Sequence, residues 1–128
     1  MKFNSQICTT KEQSERLLAL GLKKETADMG IVKSTNEIYV GCPTDYSFEN
    51  GLHIPAWSLH RLLVMMPSFI DIGEYNYMLR IIQGRAFSYR SNIAGDALLY
   101  GNGSVYNSAI YTIEWLIGEG YFNKEYLE

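Results

Sequence analysis

Hydrophobic residues recur with a helical period in two stretches of the chain. Over residues 54–66, a period of 3.6 residues places four apolar side chains on one face: Leu59, Leu62, Leu63 and Met66. Over residues 104–119, the same period predicts a buried stripe of six: Tyr106, Ala109, Ile110, Ile113, Leu116 and Ile117. Pro55 suits the first turn of the earlier helix, and Gly120 suits the end of the later one. Both stretches are therefore predicted to be helices that face a core.

Each of these helices carries a tryptophan away from its apolar stripe. Trp57 points about 180° from the leucine side, and Trp115 falls with Tyr111 on the back of the later helix. A second apolar face must be covered by another layer of the fold, by a partner or by a ligand. Internal burial of both indole rings is the outcome that the pattern favours. Because aromatic residues are enriched at interface anchors, a contact with a second copy or a partner is the main alternative, and Trp57, Tyr111 and Trp115 are its predicted contact surface.

The remaining elements follow from capping and alternation patterns. Thr10 and Gln13 form a capping box, and Gly21 can end the short helix that begins there. Alternating residues predict a strand over 37–41, a hairpin over 75–90 and a strand over 96–100. The polar residues 23–36 are expected to form a loop, and residues 123–128 a last turn. The predicted fold is α+β, with three helices packed on a small, mainly antiparallel sheet in a single domain, 1–128.

Composition narrows the classes of partner. The chain has 128 residues and a net charge of −3, so nucleic acid is an unlikely main partner. A local basic strip formed by Arg80, Arg85 and Arg90 across the hairpin is the alternative. No stretch is apolar enough to span a bilayer, and the N-terminus lacks a signal-like segment, so we expect no membrane association and a cytoplasmic location, with reduced cysteines.

A glycine-rich turn is the most suggestive local feature for ligand binding. Gly101, Asn102, Gly103 and Ser104 precede the later helix, whose N-terminus offers free N–H groups and carries no acid in its first turn. An anion could bind there, with His53 as an acid or base. However, the turn lacks the endings of phosphate and dinucleotide loops, and Ser104 as a plain N-cap explains the same residues.

No catalytic or metal constellation emerges from the sequence. Cys42 and His53 could form a thiol–base pair or contribute two metal ligands, but no further pair completes a tetrahedral site. The acid pairs Asp71 with Glu74 and Glu12 with Glu15 are typical of solvated surface charge. We therefore predict no catalytic residue, no metal and no cofactor.

Three stretches resemble small uncharacterised proteins of gut-bacterial phages and mobile elements. They are residues 8–14 continuing to residues 26–29, residues 54–59 with Pro67, and residues 114–117 with residues 120–122. The resemblance implies a phage-associated, cytoplasmic accessory role and assigns no activity or site residue.

The sequence as a whole favours a non-enzymatic binding or assembly protein that self-associates, with a homo-oligomer or a protein partner at the aromatic surface. The alternative is a small anion- or metabolite-binding protein or enzyme that uses the glycine-rich turn.

Overall fold

A computed structural model describes residues 5–41, 51–83 and 85–128. These residues form three helices and two antiparallel sheets of three and four strands, which confirms the α+β class. The chain divides into two compact units, the first Met1–Leu62 with Lys124–Glu128 and the second Leu63–Asn123. The strands thus belong to two sheets rather than to the single sheet expected. The prediction of a single domain stays a prediction.

The first helix of the first unit, α1, spans Lys11–Ala19. The Thr10 hydroxyl accepts from the Gln13 N–H, and the Gln13 side chain accepts from the Thr10 N–H, so the capping box is confirmed. At the other end, Gly21 has a φ of +102°, and the Leu22 N–H donates to the Leu17 carbonyl at 3.2 Å. This is a Schellman ending, in which only glycine takes the left-handed position without strain.

The three-stranded sheet of this unit contains β1 (Met29–Val32), β2 (Ile38–Val40) and β3 (His53–Ala56) in the order β2-β1-β3. The strand predicted over 37–41 is confirmed as β2. The predicted loop over 23–36 is wrong, because it contains a 3-10 turn at Lys24–Thr26 followed by β1. The strand contributes only four residues, Met29–Val32, and the rest of the segment is mainly polar, so the sequence pattern did not reveal it.

The helix predicted over residues 54–66 is half wrong. Ile54 and Ala56 pair with Ile31 and Met29 as part of β3, and the helix α2 spans only Leu59–Met65. Ser58 begins it, because its hydroxyl accepts the Arg61 N–H at 3.1 Å. Pro55 therefore lies in an edge strand, where a missing N–H costs little, rather than in a first helical turn.

Trp57, between β3 and α2, is completely buried. Its indole N–H donates to the Thr26 hydroxyl at 2.9 Å, and its backbone N–H donates to the Thr9 hydroxyl at 3.0 Å. The Thr9 hydroxyl shares a further bond of 2.7 Å with the hydroxyl of Ser14 on α1. Trp57 thus joins three separate segments of the first unit.

The end of the chain also contributes to the first unit. Residues Lys124–Tyr126 form a 3-10 turn, as expected for residues 123–128. The Lys23 N–H donates to the Tyr126 carbonyl at 2.9 Å, and Leu22 forms an antiparallel bridge with Leu127.

The second unit contains a four-stranded meander of β4 (Phe69–Ile72), β5 (Tyr75–Ile82), β6 (Ala86–Ser91) and β7 (Gly95–Tyr100), paired in chain order. The predicted hairpin is β5 with β6, and the predicted strand over 96–100 is β7, so both are confirmed. The strand β4 was not expected, since Asp71 lies in it with its side chain exposed.

The helix α3, Val105–Glu119, packs on β6 and β7. Five residues of the predicted stripe are buried, and Ile117 is partly exposed. Gly120 ends the helix with a φ of +82°, and the Tyr121 N–H donates to the Leu116 carbonyl at 2.8 Å. Within the described residues, none of the helices combines the length and apolar character that crossing a membrane requires.

Replacing Trp57 by Phe should lower the free energy of unfolding by at least about 1–3 kcal/mol, because the buried Thr26 hydroxyl loses its donor and a smaller ring leaves space. Trp115→Phe is the matched control, since Trp115 is half-buried and its indole N–H has no hydrogen-bond partner among the described residues. Urea denaturation followed by circular dichroism measures both. Equal losses in the two variants would contradict this role of Trp57.

Candidate binding surfaces

The three aromatic residues predicted to form a contact surface have different surroundings. Trp57 is 0% exposed, so its ring is not available at the surface of the folded chain and the prediction for this residue is corrected. The sequence pattern placed Trp57 on the outer face of a helix, but the helix begins only at Leu59, so Trp57 precedes it. The buried indole N–H needs an internal acceptor, and Thr26 supplies it.

Trp115 and Tyr111 lie on α3 where each contacts a ring of the covered face of the four-stranded sheet, and neither ring is completely buried. The Trp115 ring centroid is 6.0 Å from that of Tyr89 and 6.0 Å from that of Tyr121. Tyr111 is 37% exposed and stacks on Tyr100 with a centroid distance of 3.8 Å. These aromatic contacts occupy part of each ring, and a contact role for these two residues stays a prediction.

In the turn before α3, side chains of the turn accept hydrogen bonds from backbone N–H groups at the start of the helix. Asn102 Oδ1 accepts from the Ser104 N–H at 3.1 Å, and Ser104 Oγ accepts from the Asn107 N–H at 3.3 Å. Gly103 takes a positive φ of +89°, and a Cβ on Gly101 would lie 2.7 Å from that of Ala86. Each of these features is explained by a tight turn and an N-cap. The geometry adds no support for an anion at this helix N-terminus.

His53 lies in the first unit, whereas Gly101, Asn102, Gly103 and Ser104 lie in the second. Its Nδ1 and the Tyr39 hydroxyl share a hydrogen bond of 2.5 Å, and the two rings meet edge-on at a centroid distance of 5.0 Å. The Tyr39 ring reaches His53 by crossing Gly30 of β1, where a Cβ would lie 2.5 Å from the ring. Glycine at position 30 therefore makes this contact possible.

A surface pocket of about 260 Å³ includes His53. Two lysines, Lys24 and Lys33, line it with Glu15, and its apolar wall is formed by Leu18, Ile54 and Pro55. Neither lysine forms an ion pair with another described residue. The pocket combines two cationic side chains and an imidazole with one carboxylate, so it is a candidate site for a small anion.

Cysteine chemistry finds little support. Burial raises the pKa of the Cys8 thiol, with a smaller contribution from the charge of Asp28, so the reactive thiolate is disfavoured. Cys42, considered beside His53 in the sequence analysis, lies outside the described residues. Within residues 5–41, 51–83 and 85–128, no three His, Cys, Asp or Glu side chains are grouped to hold a metal ion.

Sequence reasoning missed an exposed apolar surface on the four-stranded sheet. The strand register places Phe69, Met78, Ile82 and Leu99 on one face, which we call the open face, with Asp71, Arg80, Arg90 and Asp96. Its four large apolar residues are all exposed, Phe69 and Leu99 each by 57%. The other face carries the buried residues Ile70, Tyr77, Phe87, Tyr89 and Leu98.

The open face differs from an ordinary solvated sheet face. Antiparallel sheets with one covered face present mainly polar residues on the other, but here large apolar residues occur on β4, β5 and β7. Ser88 also points to this face, between Arg80 and Leu99, and its hydroxyl is buried without a hydrogen-bond partner in the described chain. The sequence did contain a signal for this apolar face, because the second set of alternating residues over 75–82 includes Met78 and Ile82.

A second apolar region lies beside β2 in the first unit. A groove of about 500 Å³ runs between residues 5–12 and the sheet and is lined by Ile7, Cys8, Ile31 and Ile38. Ile38 and Val40 share a face with the buried Met29 and Ile31, yet Val40 is 84% exposed. The apolar face of this sheet therefore continues beyond its covered part.

Comparison of the chain with protein-family models, curated proteins and solved structures gives no match. The resemblance to phage and mobile-element proteins thus stays a prediction, and the geometry alone has to support any function.

Gly30→Ala should destabilise the protein by roughly 1 kcal/mol or more, because the new Cβ displaces the Tyr39 ring from His53. Gly118→Ala is the control: a Cβ there meets nothing within 4 Å, and alanine in a helix should gain about 0.5–1 kcal/mol. Chemical denaturation gives both values, and the His53 ring resonances report the lost contact. Unchanged resonances in Gly30→Ala would exclude the proposed packing.

Proposed function

We propose that this protein is a non-enzymatic binding or assembly protein that self-associates through the open face of its four-stranded sheet. The observation that supports this most is the exposure of Phe69, Met78, Ile82 and Leu99 on one face of the sheet. Large apolar residues exposed together on one surface are typical of protein contact sites. The sequence pattern placed the self-association surface at the tryptophans, and the open face now takes the place of the buried Trp57 in that hypothesis.

A second copy of the chain fits the open face for electrostatic reasons. The face carries two arginines and two aspartates, and Arg90 and Asp96 already form an ion pair of 3.3 Å. Their charges cancel, so two copies of the face do not repel each other when they meet around a two-fold axis. Sheets pack readily face to face when both inner faces are apolar.

The size of the open face predicts weak association. Four strands of about six residues span roughly 20 Å by 20 Å, or about 400 Å². A standard stable interface buries about 800 Å² on each partner. We therefore expect a concentration-dependent equilibrium instead of a permanent dimer at this face. A phage-associated role and a cytoplasmic location remain expectations beside this proposal.

The double variant Phe69→Ser/Leu99→Ser should have a lower average mass than wild type at the concentrations where wild type associates, because it removes the two most exposed apolar residues of the open face. Light scattering after size exclusion, over a wide concentration range, measures this. Ile93→Ser is the matched control, since Ile93 is 82% exposed in the β6–β7 turn, outside the open face. A wild type that is monomeric at all concentrations would rule out self-association.

A second candidate function, binding of a small anion, is favoured by the pocket around His53. Lys24 and Lys33 bring two positive charges to a pocket of about 260 Å³ in a chain with a net charge of −3. This location differs from the turn suggested by the sequence.

If this pocket binds anions, inorganic phosphate should raise the thermal unfolding midpoint of wild type. At a phosphate concentration one hundred times the dissociation constant, the free energy of unfolding should rise by about 2.7 kcal/mol. Lys24→Gln/Lys33→Gln should abolish the shift, whereas Lys11→Gln/Lys124→Gln removes the same charge elsewhere and should keep it. A shift of equal size in both double variants would show that phosphate acts without this pocket.

A further inference from the structure

The outer edge of β2 has backbone groups without a hydrogen-bond partner among the described residues. β2 is the last strand on one side of its sheet, and its register with β1 pairs Gly30 with Tyr39. The Val32 N–H donates to the Glu37 carbonyl at 2.8 Å, and the Gly41 N–H donates to the Asp28 carbonyl at 3.3 Å. The hydrogen-bonded pairs with β1 therefore involve positions 37, 39 and 41 of the chain.

The intervening residues, Ile38 and Val40, consequently direct their N–H and C=O groups away from β1. Neither residue has a hydrogen bond to another described residue on that side. Unpaired groups of this kind form a template for another strand. The binding partner that fits this edge is therefore another β-strand.

Lysine, proline and a bulge, three features that protect edge strands, are missing from β2. The strand contains only Ile38, Tyr39 and Val40. The Tyr39 side chain turns across Gly30 towards His53, and this direction leads away from the free edge. Approach to the backbone is therefore left open on the Tyr39 side.

We propose that β2 pairs in antiparallel orientation with β2 of a second copy, around a two-fold axis at Tyr39. The proposal rests on self-association, the function proposed above, and adds a contact surface distinct from the open face. Ile38 of each copy then lies opposite Val40 of the other, and the outward N–H and C=O groups of both residues are satisfied. The two three-stranded sheets become one continuous sheet.

The edge is self-complementary in charge and shape. In this register Glu37 lies opposite Gly41 of the second copy, so no like charges meet across the new pair. Ile38 and Val40 of both copies form one aliphatic strip that continues the buried face of Met29 and Ile31.

The two surfaces together predict species larger than a dimer, because each chain can hold one partner at the open face and another at β2. The edge is best tested in the Phe69→Ser/Leu99→Ser background, where association through the open face is weakened. There we expect a concentration-dependent dimer held by β2.

Val40→Pro in that background removes an outward N–H while leaving the bonds between β1 and β2 intact. Two hydrogen bonds are lost across the two-fold axis, so the dimer dissociation constant should rise about tenfold or more. Val40→Thr is the matched control, because it keeps the N–H and the branched shape, and its constant should stay within about threefold of its parent. Sedimentation equilibrium measures the constants, with circular dichroism to verify folding.

Hydrogen exchange on the unmodified chain provides a test that does not depend on variants. The amides of Ile38 and Val40 should exchange more slowly as protein concentration rises. Protection that is independent of concentration would mean that the edge is covered within one chain, and it would overturn the proposal. A purely monomeric Phe69→Ser/Leu99→Ser variant beside an associating wild type would also overturn it, while leaving the open face as the contact. A monomeric wild type would instead refute self-association as a whole.

Discussion

The buried hydrogen bonds of Trp57 are the constraint on which the first unit depends. The indole N–H and the backbone N–H of this residue end on Thr26 and Thr9, which belong to segments far apart in the chain. An indole with no exposure and no acceptor would cost several kilocalories per mole, so the three segments must be arranged together. The residue is therefore required inside the fold, where it cannot serve as an interface anchor.

The same arrangement positions the neighbouring elements. Asp28 accepts from the Ser58 N–H at 2.8 Å and from the Ser58 hydroxyl at 2.5 Å, and the Arg61 side chain donates to the Thr26 carbonyl at 2.6 Å. These bonds set where α2 begins and where β1 enters the sheet. β1 is the central strand of this sheet, and among the described strands β2 is an outer one.

Apolar surface left exposed after folding connects the two proposals. The open face and the β2 edge belong to different units, and each combines aliphatic residues with neutral charge. A chain with two such surfaces can build an assembly from a single kind of subunit. The lysine pocket near His53 is a chemical alternative to these two contact surfaces.

The sequence alone determined those elements whose signals are local. Thr10 with Gln13, Ser104, and Gly21 with Gly120 mark the ends of α1 and α3 because caps and left-handed stops act within a few residues. Only the tertiary structure decided that residues 54–56 form a strand, since their ladder partners lie more than twenty positions away at Met29 and Ile31. It likewise decided which side of the 75–82 alternation is covered, because both sides contain large apolar residues and the packing of α3 on β6 and β7 makes the choice.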